Sequence, residues 1–254
     1  MVTARFTVGE VGIDVVDLHA AVGRIETLVK AGRGGAVFTP NVDHVVNARR
    51  VPALARAYSR VELSLADGMP LVWASRFLGP PLPGRVAGSD LAGPLLVRAA
   101  EQSWRVYLLG GQRGAAEEAA SRLRNQGVAV VGADGAVVAA DGLAEEQVLD
   151  RIIGTRPDLL LVGLGSPKQE LFIDRYRHLF GGTVALGCGA VIDFIAGRVP
   201  RSPAWMSRAG LEWAYRLAKE PGRLWRRYLL HDPFFVAIVL HTWWRNLPHS
   251  SSKK

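Results

Sequence analysis

With 254 residues, 49% of them hydrophobic and 21% charged, the chain can bury a sizeable core, which excludes global disorder. Its single cysteine, Cys188, excludes an internal disulfide framework and fits a reducing compartment. The formal charge of +8 is unevenly placed, because 11 of the 31 Lys and Arg but only 3 of the 23 Asp and Glu follow Gly197. Residues 1–197 are therefore neutral. A basic tail on a neutral body suggests contact with phosphates, nucleic acid or anionic lipid. The start, Met1 to Phe6, lacks the charged and apolar regions of a signal peptide. The longest late apolar run, Phe234 to Leu240, reaches Trp244 only through His241 and Thr242. That is too short to span a bilayer and closer to an interfacial segment. The expectation is a cytoplasmic protein with no membrane span.

Phe6 to Val16 reads as one or two short strands, and Leu18 to Ala31 as a helix with apolar residues at helical spacing. Ala36 to Thr39 is a strand, broken by Pro40 and followed by Asn41-Val42-Asp43-His44. Val61 to Ala66 reads as a short buried strand ending in Asp67 and Gly68, with a helix from Met69 to Leu78 behind it. A Gly/Pro-rich loop over 79–84 leads to a helix capped by Ser89. The strand Arg105 to Leu109 runs into Gly110-Gly111 and a helix from Ala115 to Asn125. Val128 to Val131 is the next strand, followed by a helix from about Leu143 to Ile153. Leu159 to Val162 runs into Gly163-Leu164-Gly165 and another helix, and Thr183 to Leu186 closes the series.

Near-continuous apolar strands alternating with helices predict an α/β domain over 1–197, a Rossmann-like, mostly parallel sheet with helices on both faces. From 198 to 254 the character changes. Trp205, Met206, Ala209, Trp213 and Leu217 make one apolar stripe along a helix, which Pro221-Gly222 breaks. Arg223, Arg226 and Arg227 then share a third of the helix circumference, opposite Leu224, Trp225, Tyr228 and Leu229. This is a basic amphipathic helical appendage.

In such sheets, ligands bind at the carboxyl ends of the strands. Polar groups collect there at Thr39, Asn41 and His44, at Asp67, and at Ser166, Lys168 and Gln169. Asp67 either ends a strand in an ordinary Asp-Gly turn or presents an acid to a substrate. Gly110 and Gly111 either make a tight turn or offer backbone N–H groups to a phosphate. Lys168 replaces the third glycine of a dinucleotide fingerprint and no Walker pattern occurs, so no cofactor is expected. There is also no cysteine pair, no H-E-x-x-H and no Asp-x-Asp, and no metal site is expected. A diphosphate would then need cations from the protein, and arginine binds phosphate as a fork. Arg216, Arg223 and Arg226 meet that need, or form a solvated face, or meet anionic lipid.

Six stretches then resemble the successive motifs of one family. They are Thr39-Pro40-Asn41, Ala66-Asp67-Gly68, Pro83 to Leu91, Gly163 to Glu170, Gly189 to Gly197 and Arg208 to Leu217. In that order they are similar to the WecG/TagA/CpsF glycosyltransferases, over roughly Val8 to Tyr228. The resemblance implies metal-independent, inverting transfer of a sugar, often N-acetylmannosamine, from a UDP-sugar donor. The acceptor implied is N-acetylglucosamine on undecaprenyl diphosphate, in a cell-surface polymer pathway, by an enzyme peripheral on the inner face of the cell membrane.

Carried onto these residues, the resemblance makes Asp67 the general base. It places Thr39, Asn41, Arg85 and Gln169 in the pocket and Asp193 near the nucleotide. It has Arg216, Arg223 and Arg226 close over the diphosphate, Arg85 and Arg216 acting with Asp67 in catalysis. Cys188, where the family more usually has Val, concerns packing. The segment 231–254 lies beyond the motifs. The implied partners are the sugar nucleotide, the polyprenyl-diphosphate-linked acceptor and an anionic membrane surface, with no nucleic acid and with homo-oligomerisation left open. Two other readings keep their tests: a nucleic-acid-binding module using the basic tail, and a nucleotide-sugar sensor that would not need Asp67.

Overall fold

A strand that is apolar at every position must be covered on both faces, and a parallel neighbour is reached only through a crossover. The computed structural model describes residues 4–135, 138–200, 202–203, 206, 211–219, 221–226, 229 and 231–246, and it meets both requirements. Strands β3 (Gly35–Phe38), β4 (Leu63–Ser64), β5 (Arg105–Gly110), β6 (Ala129–Asp134), β7 (Leu159–Gly163) and β8 (Val184–Gly187) form one sheet. Its order is β4-β3-β8-β7-β5-β6, and each adjacent pair is parallel. Ahead of it, β1 (Arg5–Val8) and β2 (Val11–Asp14) pair as a separate antiparallel hairpin. The architecture is the Rossmann-like α/β fold that the pattern predicts.

Alternate strand residues divide between two cores, as the pleat requires. Ala36, Phe38, Tyr107, Leu109, Leu160 and Val162 face one of them. It is completed by the hairpin, α2 (Val42–Arg50), α3 (Pro52–Ser59), α4 (Met69–Leu78), α7 (Glu146–Thr155) and α8 (Lys168–Tyr176). Val37, Val106, Leu108, Leu159 and Leu161 face the other. Against it lie α1 (Leu18–Ala31), α5 (Gly88–Glu101), α6 (Ala115–Asn125) and α9 (Val191–Ile195). Beyond these come α10 (Glu212–Lys219), α11 (Pro221–Arg226) and α12 (Phe234–Asn246). No helix among the described residues is long and apolar enough to cross a membrane.

The boundaries of α1, α4 and α6 coincide with the expected ones, since each is bracketed by a glycine, a proline or a capping carboxylate. Ser89 does not cap α5. The helix begins two residues earlier than that cap would set it, at Gly88, and its cap is Ala87, with no side-chain bond. Gly88 explains the start: a Cβ there would lie 3.3 Å from Thr39 Oγ1 and 3.4 Å from the Cys188 carbonyl, so the helix abuts two strand ends. Helices α2 and α3 occupy a stretch in which the sequence pattern marked no element, and Pro52 at a first-turn position starts the second.

The segment from Phe234, expected to be interfacial, is helix α12. It buries Phe235 and Ile238 in the first core and packs against α2, α4 and β1. Thr242 Oγ1 accepts from the Gly9 amide at 3.1 Å, tying the helix to the tip of the hairpin. Of the expected apolar stripe, Trp205 and Ala209 lie outside the described residues.

The strand expected from Val61 contracts to two residues because β4 is the edge of the sheet and its outer side has no neighbour. Asp14, 5% exposed, takes the place of one. Its Oδ2 accepts from the Ser64 amide at 2.8 Å and from Arg5 Nη2 at 2.8 Å. The carboxylate thus blunts a strand edge and fastens the hairpin to it. Asp14→Ala would leave the buried Ser64 amide unpaired and Arg5 without its counter-ion. The expected loss is about 2 to 4 kcal/mol in urea denaturation; a loss below about 0.5 kcal/mol would show that the carboxylate does not hold the edge.

Candidate active site

Because all six strands run the same way, their carboxyl ends share one rim. The neighbours β5 and β7 hand their chains off in opposite directions, β5 to β6 and β7 to β8. Such a parting opens a crevice above the sheet. Here it is a cleft of about 690 Å³. Asn41 and Thr39 enter it from β3, Asp67 from β4, Gly111 from β5 and Gln169 from β7. Asp193 enters at the first turn of α9, behind β8.

The backbone under Asp67 is fixed by its neighbour strand. The Leu65 amide donates to the Phe38 carbonyl at 2.9 Å and the Asp67 amide to the Pro40 carbonyl at 2.7 Å. Parallel pairing therefore continues past β4 and ends under the acid itself. Leu65 and Ala66 are buried, while Asp67 is partly exposed at the cleft. Gly68, at φ +138°, turns the chain into α4 in a conformation that favours glycine.

Thr39, 5% exposed, donates from Oγ1 to the Gly187 carbonyl at 3.2 Å and closes the gap between β3 and β8. Asn41 caps α2, its Oδ1 accepting from the Asp43 amide at 3.0 Å. Gln169 is almost fully buried. Its Nε2 donates to Glu170 Oε1 at 2.7 Å and its Oε1 accepts from the Gly189 amide at 3.0 Å, joining the loops after β7 and β8.

At the β5 end, Asp193 Oδ1 accepts from the Gln112 amide at 2.7 Å. The turn before it needs Gly111, at φ +80°, where a Cβ would approach Ile192 and Ala115 to 3.0 and 3.1 Å. Gly110, at φ +108°, does not line the cleft; a Cβ there would sit 2.6 Å from the Gly163 carbonyl, so its smallness serves the close pairing of β5 and β7. Cys188 is buried, and burial pushes its thiol up to about 12, which suits a packing residue and not a nucleophile. Among the described residues no three His, Cys, Asp or Glu side chains gather as a metal site would need.

The C-terminal segment supplies the remaining wall. Glu212, Tyr215 and Lys219 of α10 face the cleft at i, i+3 and i+7, and Arg198 lies at its edge. In the sequence the apolar stripe and the arginines of this helix overshadow that polar stripe, which its spacing nevertheless contains. Arg85 Nη1 donates to Glu212 Oε2 at 2.8 Å and its Nη2 to Asp90 Oδ2 at 2.5 Å. It thus anchors α10 to the body and is not itself among the cleft-lining residues. Arg198 is forked onto Glu118 at 2.8 and 2.7 Å and also bonds the Arg113 carbonyl. Arg226 stacks over Trp225, 5.3 Å from the ring centre, away from the cleft wall. Arg216 and Arg223 fall within α10 and α11, but their side chains lie outside the described residues.

A sequence model of the Glycosyl transferase WecG/TagA/CpsF family matches residues 6–248. A relative from Bacillus spizizenii, named N-acetylglucosaminyldiphosphoundecaprenol N-acetyl-beta-D-mannosaminyltransferase, is 34% identical over 244 residues, covering 93% of this chain and 92% of the relative. A protein of the same name from Bacillus subtilis is 36% identical over 180 residues, covering 69% of this chain and 67% of its own.

The Asp193 carboxylate holds the Gly111-Gln112 turn in place. Asp193→Ala is expected to speed hydrogen exchange of the Gln112 amide by about tenfold or more, while Asp193→Asn, which keeps an acceptor, changes it less. Equal exchange in all three proteins would show that the turn stands without it.

Proposed function

Because the chain belongs to the WecG/TagA/CpsF family of glycosyl transferases, we propose that its cleft binds a UDP-sugar and passes the sugar, N-acetylmannosamine or a relative, to N-acetylglucosamine on undecaprenyl diphosphate. The product would serve a cell-surface polysaccharide or teichoic acid. The observation that carries this reading is Asp67, a carboxylate at the cleft whose own amide is pinned 2.7 Å from the Pro40 carbonyl. A base held this way keeps its position as the substrate arrives.

In the proposed reaction, Asp67 takes the proton of the acceptor hydroxyl. The oxygen attacks the anomeric carbon from the face opposite the diphosphate, the bond to the phosphate oxygen breaks, and UDP departs with the electron pair. One in-line displacement inverts the anomeric centre. A positioned base contributes typically about 10²- to 10⁴-fold. The charge growing on UDP is met without a metal, by Lys219 at the cleft wall and by Arg216 and Arg223 of the same segment. Arg85 acts in catalysis by holding α10, and so Lys219, over the cleft. The Gly111 and Gln112 amides are taken by the Gly163 carbonyl and the Asp193 carboxylate, so that turn shapes the cleft wall and donates no amide to the phosphates.

The acceptor is lipid-linked, so the enzyme works at the inner face of the cell membrane. Supporting this, the packed helices α4 and α12 keep Trp73, Phe77, Leu240, Trp243 and Trp244 exposed, with the exposed Arg76 and Arg245 on the same two helices. Aromatic side chains beside cations suit an anionic interface. Residues 198–254 then have two tasks, closing the cleft with α10 and meeting lipid with the later helices. Deleting all of them would also open the core at Phe235 and Ile238, so point substitutions are the cleaner probe.

Asp67→Asn should lower turnover by about 10²-fold or more while the dissociation constant for UDP moves less than about threefold. Unchanged turnover would remove Asp67 as the base, and no turnover by the unmodified protein would favour the sensor reading. Separately, Trp243→Ser/Trp244→Ser should reduce co-sedimentation with phosphatidylglycerol vesicles by about tenfold and leave turnover on a short-chain soluble acceptor unchanged. Equal sedimentation would place the membrane contact elsewhere.

A further inference from the structure

Burying a histidine beside a glutamate removes two ionisable groups from water, and such a pair persists only where something else is gained. His44 is 7% exposed and Glu170 fully buried. They come from different strand ends, His44 from the first turn of α2 behind β3 and Glu170 from the first turn of α8 behind β7, with β8 lying between in the sheet. His44 Nε2 stands 3.3 Å from Glu170 Oε1, close enough for an ion pair but off the line of a hydrogen bond. Its Nδ1 lies 2.8 Å from Asn41 Oδ1.

The same carboxylate oxygen accepts from Gln169, which in turn accepts from Gly189. A continuous polar chain therefore runs Asn41, His44, Glu170, Gln169, Gly189 beneath the cleft and joins three strand-end loops. Although the ring borders the cleft, both its nitrogens are directed at protein groups. His44 is thereby disqualified as a rival base. A capping box at the start of α2 accounts for the Asn41 contact alone. It does not account for a buried carboxylate reaching across from another loop.

Resting on the reading of the cleft as a sugar-nucleotide site, we infer that His44 and Glu170 are a positioning pair that orients Asn41 and Gln169 toward the substrate. Held by the facing carboxylate, the ring keeps Nδ1 2.8 Å from Asn41 Oδ1 and 3.3 Å from the Asn41 backbone amide, which donates to it. Asn41 Oδ1 accepts from the Asp43 amide and lies against the His44 ring. A flipped amide would set its NH₂ against the Asp43 amide, so the Oδ1 end of the side chain stays at the helix start and the ring packed on it limits its rotation. Burial is the largest influence on Glu170 and alone would raise its carboxyl. The facing His44, with the Gln169 amide and the backbone, outweighs it and holds the group below the usual glutamate range. The other ionisable groups facing the pair are Tyr58 of α3, whose ring stands edge-on to His44, and Asp43 of α2.

The test uses the full chain and two conservative variants, His44→Gln and Glu170→Gln. Glutamine at 44 places its amide near the position of Nε2, so it keeps a polar group facing Glu170 and loses the Nδ1 contact with Asn41. Each variant is expected to lower kcat about tenfold or more while UDP affinity, by calorimetry, changes less than about threefold. In an Asn41→Ala background, His44→Gln should cost less than about twofold more, because it acts through the amide already removed. The same factor in both backgrounds, or loss of UDP binding together with activity, would overturn the proposal. The Asn41 side-chain NH₂ signals should also move in His44→Gln by NMR, and unchanged signals would overturn it independently of turnover. Absence of transfer by the unmodified protein would instead fail the sugar-nucleotide reading.

Discussion

The parallel alignment of β4, β3, β8 and β7 delivers four loops to one rim, and each loop has to end in a polar group without unsettling the apolar strand behind it. The molecule solves this by bonding each loop to the next across the strand ends. Asp67 is tied to Pro40 through its amide, Thr39 to Gly187, and Gln169 to Gly189. Polar side chains at the ends of buried strands are costly when unpaired, and here the pairing that removes the cost also sets the geometry of the cleft. The bonds that fasten the strand ends are therefore the same ones that shape the cleft.

The sheet supplies only part of the enclosure. Its rim leaves one side open, and the basic C-terminal segment closes that side with Glu212, Tyr215 and Lys219. What holds α10 there is the buried end of Arg85, shared between Glu212 and Asp90. A single guanidinium thereby couples the neutral body to the cationic segment. Helix α12 plays a plainer part, sealing the first core with Phe235 and Ile238 while its remaining aromatics stay exposed. The uneven charge of the chain thus has a structural counterpart. Among the described residues Lys219 and Arg198 line the cleft, and Arg245 is exposed on α12.

Most of the sheet was legible because its strands are apolar at nearly every position, and the loops at their ends could be located before any contact was known. Thr39, Asn41, Asp67 and Gln169 all reach the cleft for that reason. The stretch from Val42 to Ser59 hid its two helices, because the buried face of α2 includes His44 and so breaks the apolar stripe. That histidine is buried by virtue of Glu170, a partner distant in sequence that no local pattern announces. Ser89 misled in the opposite way. It is a good capping residue, but close approach of Gly88 to Thr39 and Cys188 starts the helix earlier. The stripe Glu212, Tyr215, Lys219 was present in the spacing and was overlooked in favour of the more conspicuous tryptophans and arginines.

The cleft is read as a sugar-nucleotide site opening toward a lipid-linked acceptor. Transfer from a panel of UDP-sugars to undecaprenyl-diphosphate-linked N-acetylglucosamine, followed by mass and anomeric analysis, tests this most directly. The account predicts one lipid product heavier by a single sugar residue for each UDP released, with the anomeric configuration inverted relative to the donor. UDP release without gain of mass on the lipid, a product of retained configuration, or no turnover with any donor in the panel would contradict it.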